Sequence, residues 1–322
     1  MGSAGLEPWL SIEERGQRAT FAKEDFPGVE IIWIEGDPRL SRRPVFRLLN
    51  QIMRIYHVGF HFPLIKVDLG RNFLVGFLFW ALNAVTRRYE NRFIMPKFHF
   101  ADIRAKRARD WKKPDGPVFI TKLLHRAYGI LGEGGSQRAP GRFTLNFPNS
   151  YYLTPQRSLL GMRHALDNFE FDYLLRTVST NYIELDRLMS AVRKLPTHGV
   201  YAGKTMKLAG TEFVSGAGQL FSRDVVEGII SLGDSLRLDV FDDVGIARLV
   251  EDFSIASITP LGQVDVQFLD NVEEVCGEEY RDDYNFRCKD GPVTTDSHNP
   301  VIRMLKVHSL LRSPGIRSLP GG

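Results

Sequence analysis

Residues Asn168–Leu188, N-F-E-F-D-Y-L-L-R-T-V-S-T-N-Y-I-E-L-D-R-L, carry the pattern that decides the fold. Phe171, Tyr173, Leu174 and Leu175 form a short apolar run with aromatic content, the mark of a buried strand. Small hydroxyl residues follow at once, Thr177, Ser179 and Thr180, and then a helix-like pattern ending in Leu185, Leu188 and Met189. Upstream, residues 154–166 have helical spacing, with Thr154 at an N-cap and Pro155 at the first helical position. The local prediction is helix, buried strand, polar tip, helix. An open α/β sheet places its ligand at a strand end of this kind.

Outward from that stretch, residues 28–38 read as a strand, an apolar run closed by Gly36, Asp37 and Pro38. Glu35 and Asp37 stand at its end, either as ligand contacts or as solvated loop carboxylates. Residues 1–27 read as an irregular or partly helical lead-in. Helical spacing recurs over 44–56, and 63–69 is a candidate second strand. Residues 71–88 are apolar nearly all round, which fits a buried core helix or a helix in a membrane interface. Arg104, Lys106, Arg107, Arg109, Lys112 and Lys113 form a basic cluster, a solvated face or a dock for anionic lipid. Residues 129–141 are glycine-rich and read as a loop or lid, and 142–147 as a strand.

With 322 residues the chain can bury a substantial core. Hydrophobic content of 43% and charged content of 25% are those of a globular protein, which excludes a disordered or fibrous class. The net charge of +4 suits an anionic ligand, but Lys and Arg are spread along the chain, against a nucleic-acid partner. Cys276 and Cys288 are too few for a disulfide framework and form no zinc pattern, so a reduced setting is expected. The first residues lack the layout of a signal peptide, and the apolar run 73–85 falls short of the ~20 residues a bilayer span needs. The expected location is cytoplasmic, at most with peripheral contact at the inner membrane surface.

The order Leu153, Ser158-Leu159-Leu160-Gly161-Met162-Arg163, Asn168-Phe169-Glu170-Phe171-Asp172-Tyr173-Leu174-Leu175-Arg176-Thr177 and Leu185-Asp186-Arg187-Leu188 resembles the central block of glycosyltransferases of the β-1,3-galactosyltransferase and Fringe type. Pro148–Thr154 resembles the same family's lead into its long helix. The likeness is to a bacterial or viral relative with a degenerate DxD motif: where the family carries the acidic tip that holds a metal, this chain has Val178-Ser179-Thr180, without a carboxylate. Mn²⁺ or Mg²⁺ therefore lacks its usual ligand motif, and Thr177, Ser179 and Thr180 are expected to meet the donor through hydroxyls. Within this resemblance Glu35 and Asp37 fall where the nucleoside of the donor is met.

Three further blocks extend the resemblance. Phe213–Val226 contains Ser215-Gly216-Ala217-Gly218 on the acceptor side, with glycines where backbone passes close to a ligand, and Ser222 as an N-cap for the next helix. Val240–Val250 contains Asp242 and Asp243, and the resemblance gives the catalytic base to this pair, Asp243 first. Their other reading is acidic capping of a helix N-terminus. Phe286–Gly291 supplies Arg287 and Lys289, which with Arg176 are the cations available to a diphosphate, or else ordinary surface charges. His298 is a weak metal candidate against a structural role.

The resemblance implies an α/β nucleotide-sugar-transferase (GT-A) fold with a mixed central sheet flanked by helices. It implies one domain over 28–311, a nucleotide-binding half to about 180 and an acceptor half beyond, then a flexible tail over 312–322. The implied activity is inverting transfer of a hexose from a nucleotide-diphosphate sugar, UDP-linked, to a saccharide or glycolipid hydroxyl, as in polysaccharide biosynthesis. The alternative is a non-catalytic protein that binds a glycan or nucleotide sugar on the same fold.

Overall fold

In the computed structural model, the structure describes residues 9–41, 135–139, 141–148, 154–208, 211–236, 242–266, 272–289 and 298–313. The chain starts with α1 (Trp9–Ile12), which widens into a π-turn over Glu13–Gln17, and continues through β1 (Trp33–Asp37) and α2 (Pro38–Ser41). Then come β2 (Gly135–Ala139), β3 (Arg142–Pro148), α3 (Thr154–Asn168), β4 (Tyr173–Thr177), β5 (Asn181–Ile183) and α4 (Leu185–Val192). They are followed by β6 (Val200–Gly203), β7 (Thr205–Leu208), β8 (Thr211–Val214), β9 (Gly218–Ser222), α5 (Arg223–Ser231) and α6 (Asp242–Asp252). The last elements are β10 (Ser257–Pro260), β11 (Val264–Asp265), α7 (Val272–Val275), β12 (Asn285–Arg287) and α8 (His298–Leu311).

The strands form mixed sheets. The central one has the order β10-β6-β9-β4, with β10 parallel to β6 and the other neighbours antiparallel. A second sheet has the order β11-β12-β5, a third the order β1-β3-β2, and β7 and β8 form a hairpin. Side chains alternate across a strand, and the two middle strands use this to feed two cores. Val200, Ala202 and Leu220 point into one, with Tyr182, Phe286, Leu188 and Met304. Tyr201 and Phe221 point into the other, where their rings stack at 5.2 Å among Met162, Val225, Ile229 and Val250. Helices α3, α5 and α6 line the second core. The α/β class with mixed sheets flanked by helices is thus observed.

Three expectations are corrected here. Residues 135–139, read as part of a loop, form β2, drawn into register by antiparallel pairing with β3. The polar tip does not lead directly into a helix; it crosses into β5, which pairs with β12 in the neighbouring sheet. Residues 9–27 are partly helical, as expected, and they pack into the interior: Ile12 and Phe21 are core residues, and Arg142 bridges the buried Glu13 and Glu35. Arg312, assigned to a flexible tail, is held by Glu24, Glu184 and Asp186. The predicted elements over 44–56, 63–69 and 71–88, and the basic cluster at 104–113, lie outside the described residues. Among the described residues no helix is long and apolar enough to cross a membrane.

Candidate functional site

Pairing of β4 with β9 sets Thr177 opposite Gly218 and Arg176 opposite Gln219. That register brings the polar tip against the turn Ser215–Gly218, forty residues away in sequence. The turn closes by a Gly218 N–H donating to the Ser215 carbonyl (3.0 Å), while Ser215 N–H donates to the Lys204 carbonyl (2.9 Å). The Ala217 carbonyl accepts from Thr177 Oγ1 (3.1 Å), from Asn181 Nδ2 and, more loosely, from Asn285 Nδ2 (3.5 Å). Asn285 Nδ2 also donates to Gln263 Oε1 (3.2 Å), and Asn181 Nδ2 to Asn285 Oδ1 (2.6 Å). A buried amide network therefore fixes the turn from below.

The N-terminus of α6 fixes it from the side. Asp243 Oδ2 accepts from Gly216 N–H (3.1 Å) and Oδ1 from Val244 N–H (2.9 Å). Asp242 pairs with Arg176, whose other terminal nitrogen donates to Gln219 Oε1. Burial, reinforced by the neighbouring Asp242 charge, pushes the Asp243 carboxyl up to about 6, against the pull of Gly216 N–H and Arg176. Arg157 of α3 is buried nearby, and desolvation lowers its guanidinium to about 10, with Arg176 adding to that and Asp242 opposing it. Arg157, Arg176, Asp242 and Asp243 thus form one partly buried charged cluster.

Asp243 thus stands in the first turn of α6 with its carboxyl held at about 6. A Cβ on Gly218 would overlap the Asn285 amide, and one on Gly216 would press on Asp243 Oδ2 at 3.3 Å, so packing against protein side chains already favours glycine at both positions. Ser222 stands at the N-cap of α5 but makes no side-chain cap bond. Its hydroxyl instead accepts from Val200 N–H (2.9 Å) and donates to Asp224 (2.6 Å), tying β9 to β6.

The remaining predicted positions divide. Glu35 is buried and taken up by Arg142 (2.6 Å) and Thr144 (3.0 Å), and Asp37 accepts from Arg39 N–H (2.7 Å) beside α2. Ser179 and Thr180 are buried in the crossing between sheets, where the Thr180 carbonyl accepts from Cys288 N–H (2.8 Å). Ser215, Ala217 and Gly218 are buried as well, leaving Gly216 the more open member of its turn. Lys289 follows β12, half-buried, and His298 opens α8. Nε of both Arg176 and Arg287 is buried without a hydrogen-bond partner, but whereas the Arg176 guanidinium is otherwise paired with Asp242 and Gln219, no side-chain hydrogen bond or ion pair joins Arg287 to another described residue.

Compared with models of protein families and with curated proteins, the chain matches none of either. Among the described residues no three His, Cys, Asp or Glu side chains are arranged to hold a metal ion. The tip offers only the hydroxyls of half-buried Thr177 and buried Ser179 and Thr180, and Asp242 and Asp243 are already bound by Arg176 and by backbone N–H groups. These residues do not fit a divalent ion at the tip.

Asn181, Gln219, Gln263, Asn285 and Arg157 carry much of the site, and motif reading did not find them. One signal was present. Asn181-Tyr182 and Asn285-Phe286-Arg287 alternate polar with aromatic, and the pairing of the two strands puts Asn181, Asn285 and Arg287 on one face.

Proposed function

We propose that the chain is an inverting glycosyltransferase that moves a hexose from a nucleotide-diphosphate sugar, UDP-linked by preference, to a saccharide hydroxyl. The observation that carries this reading is Asp243, a carboxylate positioned by two backbone N–H groups and titrating near 6, beside the turn that meets the β4 tip. A general base works best when its pKa lies near the operating pH. In the proposed step Asp243 takes the proton of the acceptor hydroxyl as that oxygen attacks the anomeric carbon. The bond from that carbon to the diphosphate oxygen breaks with inversion, and the nucleoside diphosphate leaves with the electron pair.

The charge on the leaving diphosphate needs cations. Arg287, unpaired among the described residues, suits that role, with Lys289 after it on the chain. Arg176 is neutralised by Asp242, which makes it a positioning residue that aligns the α6 N-terminus rather than a phosphate ligand. No step is routed through a metal. Membrane-surface attachment and a lipid-linked acceptor remain attached to this reading only as its wider setting.

The test is UDP release from UDP-hexoses with saccharide acceptors, together with calorimetric titration of UDP in EDTA. Wild-type protein is expected to bind UDP without metal and to turn over; Asp243→Asn keeps UDP binding and loses turnover, and Arg287→Ala weakens UDP. An unchanged rate in Asp243→Asn would sink the base assignment. Absence of UDP binding, with and without Mn²⁺, would move the function to the non-catalytic glycan-binding alternative.

A further inference from the structure

A cleft of about 520 Å³ opens beside the Asp243 cluster, at the carboxyl ends of the parallel pair β6 and β10. Lys204 and Leu261 are the residues directly after those two strands, the place where open α/β sheets take up ligands. Lys204 also joins the cleft to the cluster, because its carbonyl holds Ser215, the residue before Gly216. Gln263 lines the cleft and is bonded through Asn285 to the same turn.

The lining is rich in hydrogen-bonding groups and close to neutral in charge. The Lys204 ammonium is paired with Asp265 (2.6 Å), and Glu212 stands 3.7 Å from Lys207. Asp283 is the third carboxylate; burial raises its pKa, with Asp282 adding and Arg187 and Lys204 opposing. Its carboxylate accepts no hydrogen bond from any described residue. Gly262 makes space for it, since a Cβ there would overlap Asp283 Oδ1. Ile258, Pro260 and Leu261 add apolar groups to the same lining.

Carboxylate and carboxamide groups beside apolar side chains suit a ring with hydroxyls on its edge and C–H groups on its face. The unpaired Asp283 and the already neutralised Lys204 disfavour a phosphate. We infer that this cleft binds a neutral sugar ring, the acceptor saccharide, held by Asp283, Glu212 and Gln263. The assignment of that sugar as acceptor rests on the glycosyl-transfer reading; the binding of the sugar does not.

Saturation-transfer NMR of the full chain with the methyl glycosides of glucose, galactose and N-acetylglucosamine tests the site. Saturation of the ring protons of at least one glycoside is expected with wild-type protein. Asp283→Ala and Gly262→Ala are expected to weaken that glycoside roughly tenfold, the loss of a charge-assisted hydrogen bond. Glu212→Ala, at an exposed position on β8 that puts the fold at no risk, weakens it about threefold. No saturation of any of the three glycosides overturns the proposal, as does equal binding by the Glu212 variant and at least one folded Asp283 or Gly262 variant. Tighter binding of spermidine than of the glycosides overturns the neutral-ligand assignment. Failure to bind UDP in the separate titration would remove the transferase reading and leave the sugar-site result standing.

Discussion

Replacing Asp243 by Asn removes a charge that the fold holds against its own stability. The folded carboxyl titrates at about 6 and an unperturbed one near 3.8, so between these values the folded protein binds a proton that the unfolded chain has released. Wild-type stability therefore falls as pH rises from about 4 to about 6, and the effect is complete above that. A gap of about two pH units, at about 1.4 kcal/mol each, sets a ceiling of about 3 kcal/mol. The substitution also has a fixed cost: an amide oxygen can accept from Gly216 or from Val244 but lacks the second acceptor oxygen, a loss of about 1 kcal/mol.

The two contributions differ in pH dependence, and this makes the prediction sharp. Below about pH 4 the variant is less stable than wild type by about 1 kcal/mol, and above pH 7 it is more stable by about 1–2 kcal/mol. Urea unfolding of both proteins at intervals between pH 4 and pH 8, followed by far-ultraviolet circular dichroism, reads the difference directly. Parallel stability curves, with no change of sign, would refute the claim that Asp243 is strained in its charged form. A crossing, joined to loss of turnover, would mark a charge retained for activity at the expense of stability.

Arg142→Met leaves the buried carboxylates of Glu13 and Glu35 without their shared cation, and is expected to lower stability by about 3–5 kcal/mol in thermal or urea unfolding. A loss under 1 kcal/mol would mean that Arg18 and Thr144 suffice. Gly218→Ala drives a methyl into the Asn285 amide; about 2–4 kcal/mol of destabilisation is expected, and an unchanged melting temperature would mean that the amide network yields freely. Cys276 and Cys288 are both buried with their thiols pushed up by desolvation, Cys276 to about 11, so a thiol reagent at pH 8 should label neither before unfolding. Labelling of native protein within minutes would contradict that burial.

The regular elements with strong periodicity were readable from sequence: β3, α3 and β4 fall where apolar spacing and turn residues put them, within a few residues, and α5 starts after Ser222. The contacts that make a site were not. The meeting of Thr177 with Gly218 follows from the antiparallel register of β4 and β9, which no local pattern encodes. Ser222 shows the limit of a local rule: the hydroxyl stands at the N-cap but is taken by Val200 and Asp224, because β6 passes within reach. Gly-Ser-Gln-Arg-Ala over 135–139 lacks the β-branched and aromatic residues of a strand, and only its partner β3 makes it one. The role of Asp243 as a candidate base could be inferred by resemblance, but its elevated pKa depends on burial and on Asp242, which are properties of the assembled fold.

The clasp at Arg312 bears on the order in which the molecule can be made. Arg312 grips Glu24 from one end of the chain and Glu184 from its middle, while Gly16 lies so close to α8 that a methyl group there would press on Met304 Sδ at 2.7 Å. Gln17 likewise donates to the carbonyls of Val178 and Asn181. During synthesis residues 9–24 leave the ribosome first, yet their seats are built from residues 178–184 and from α8. Until α8 has emerged, Ile12 and Phe21 have no complete surface to cover them, and the nascent chain must carry these apolar side chains unburied. Such long-range closure makes the docking of residues 9–24 a late and slow event that waits for α8.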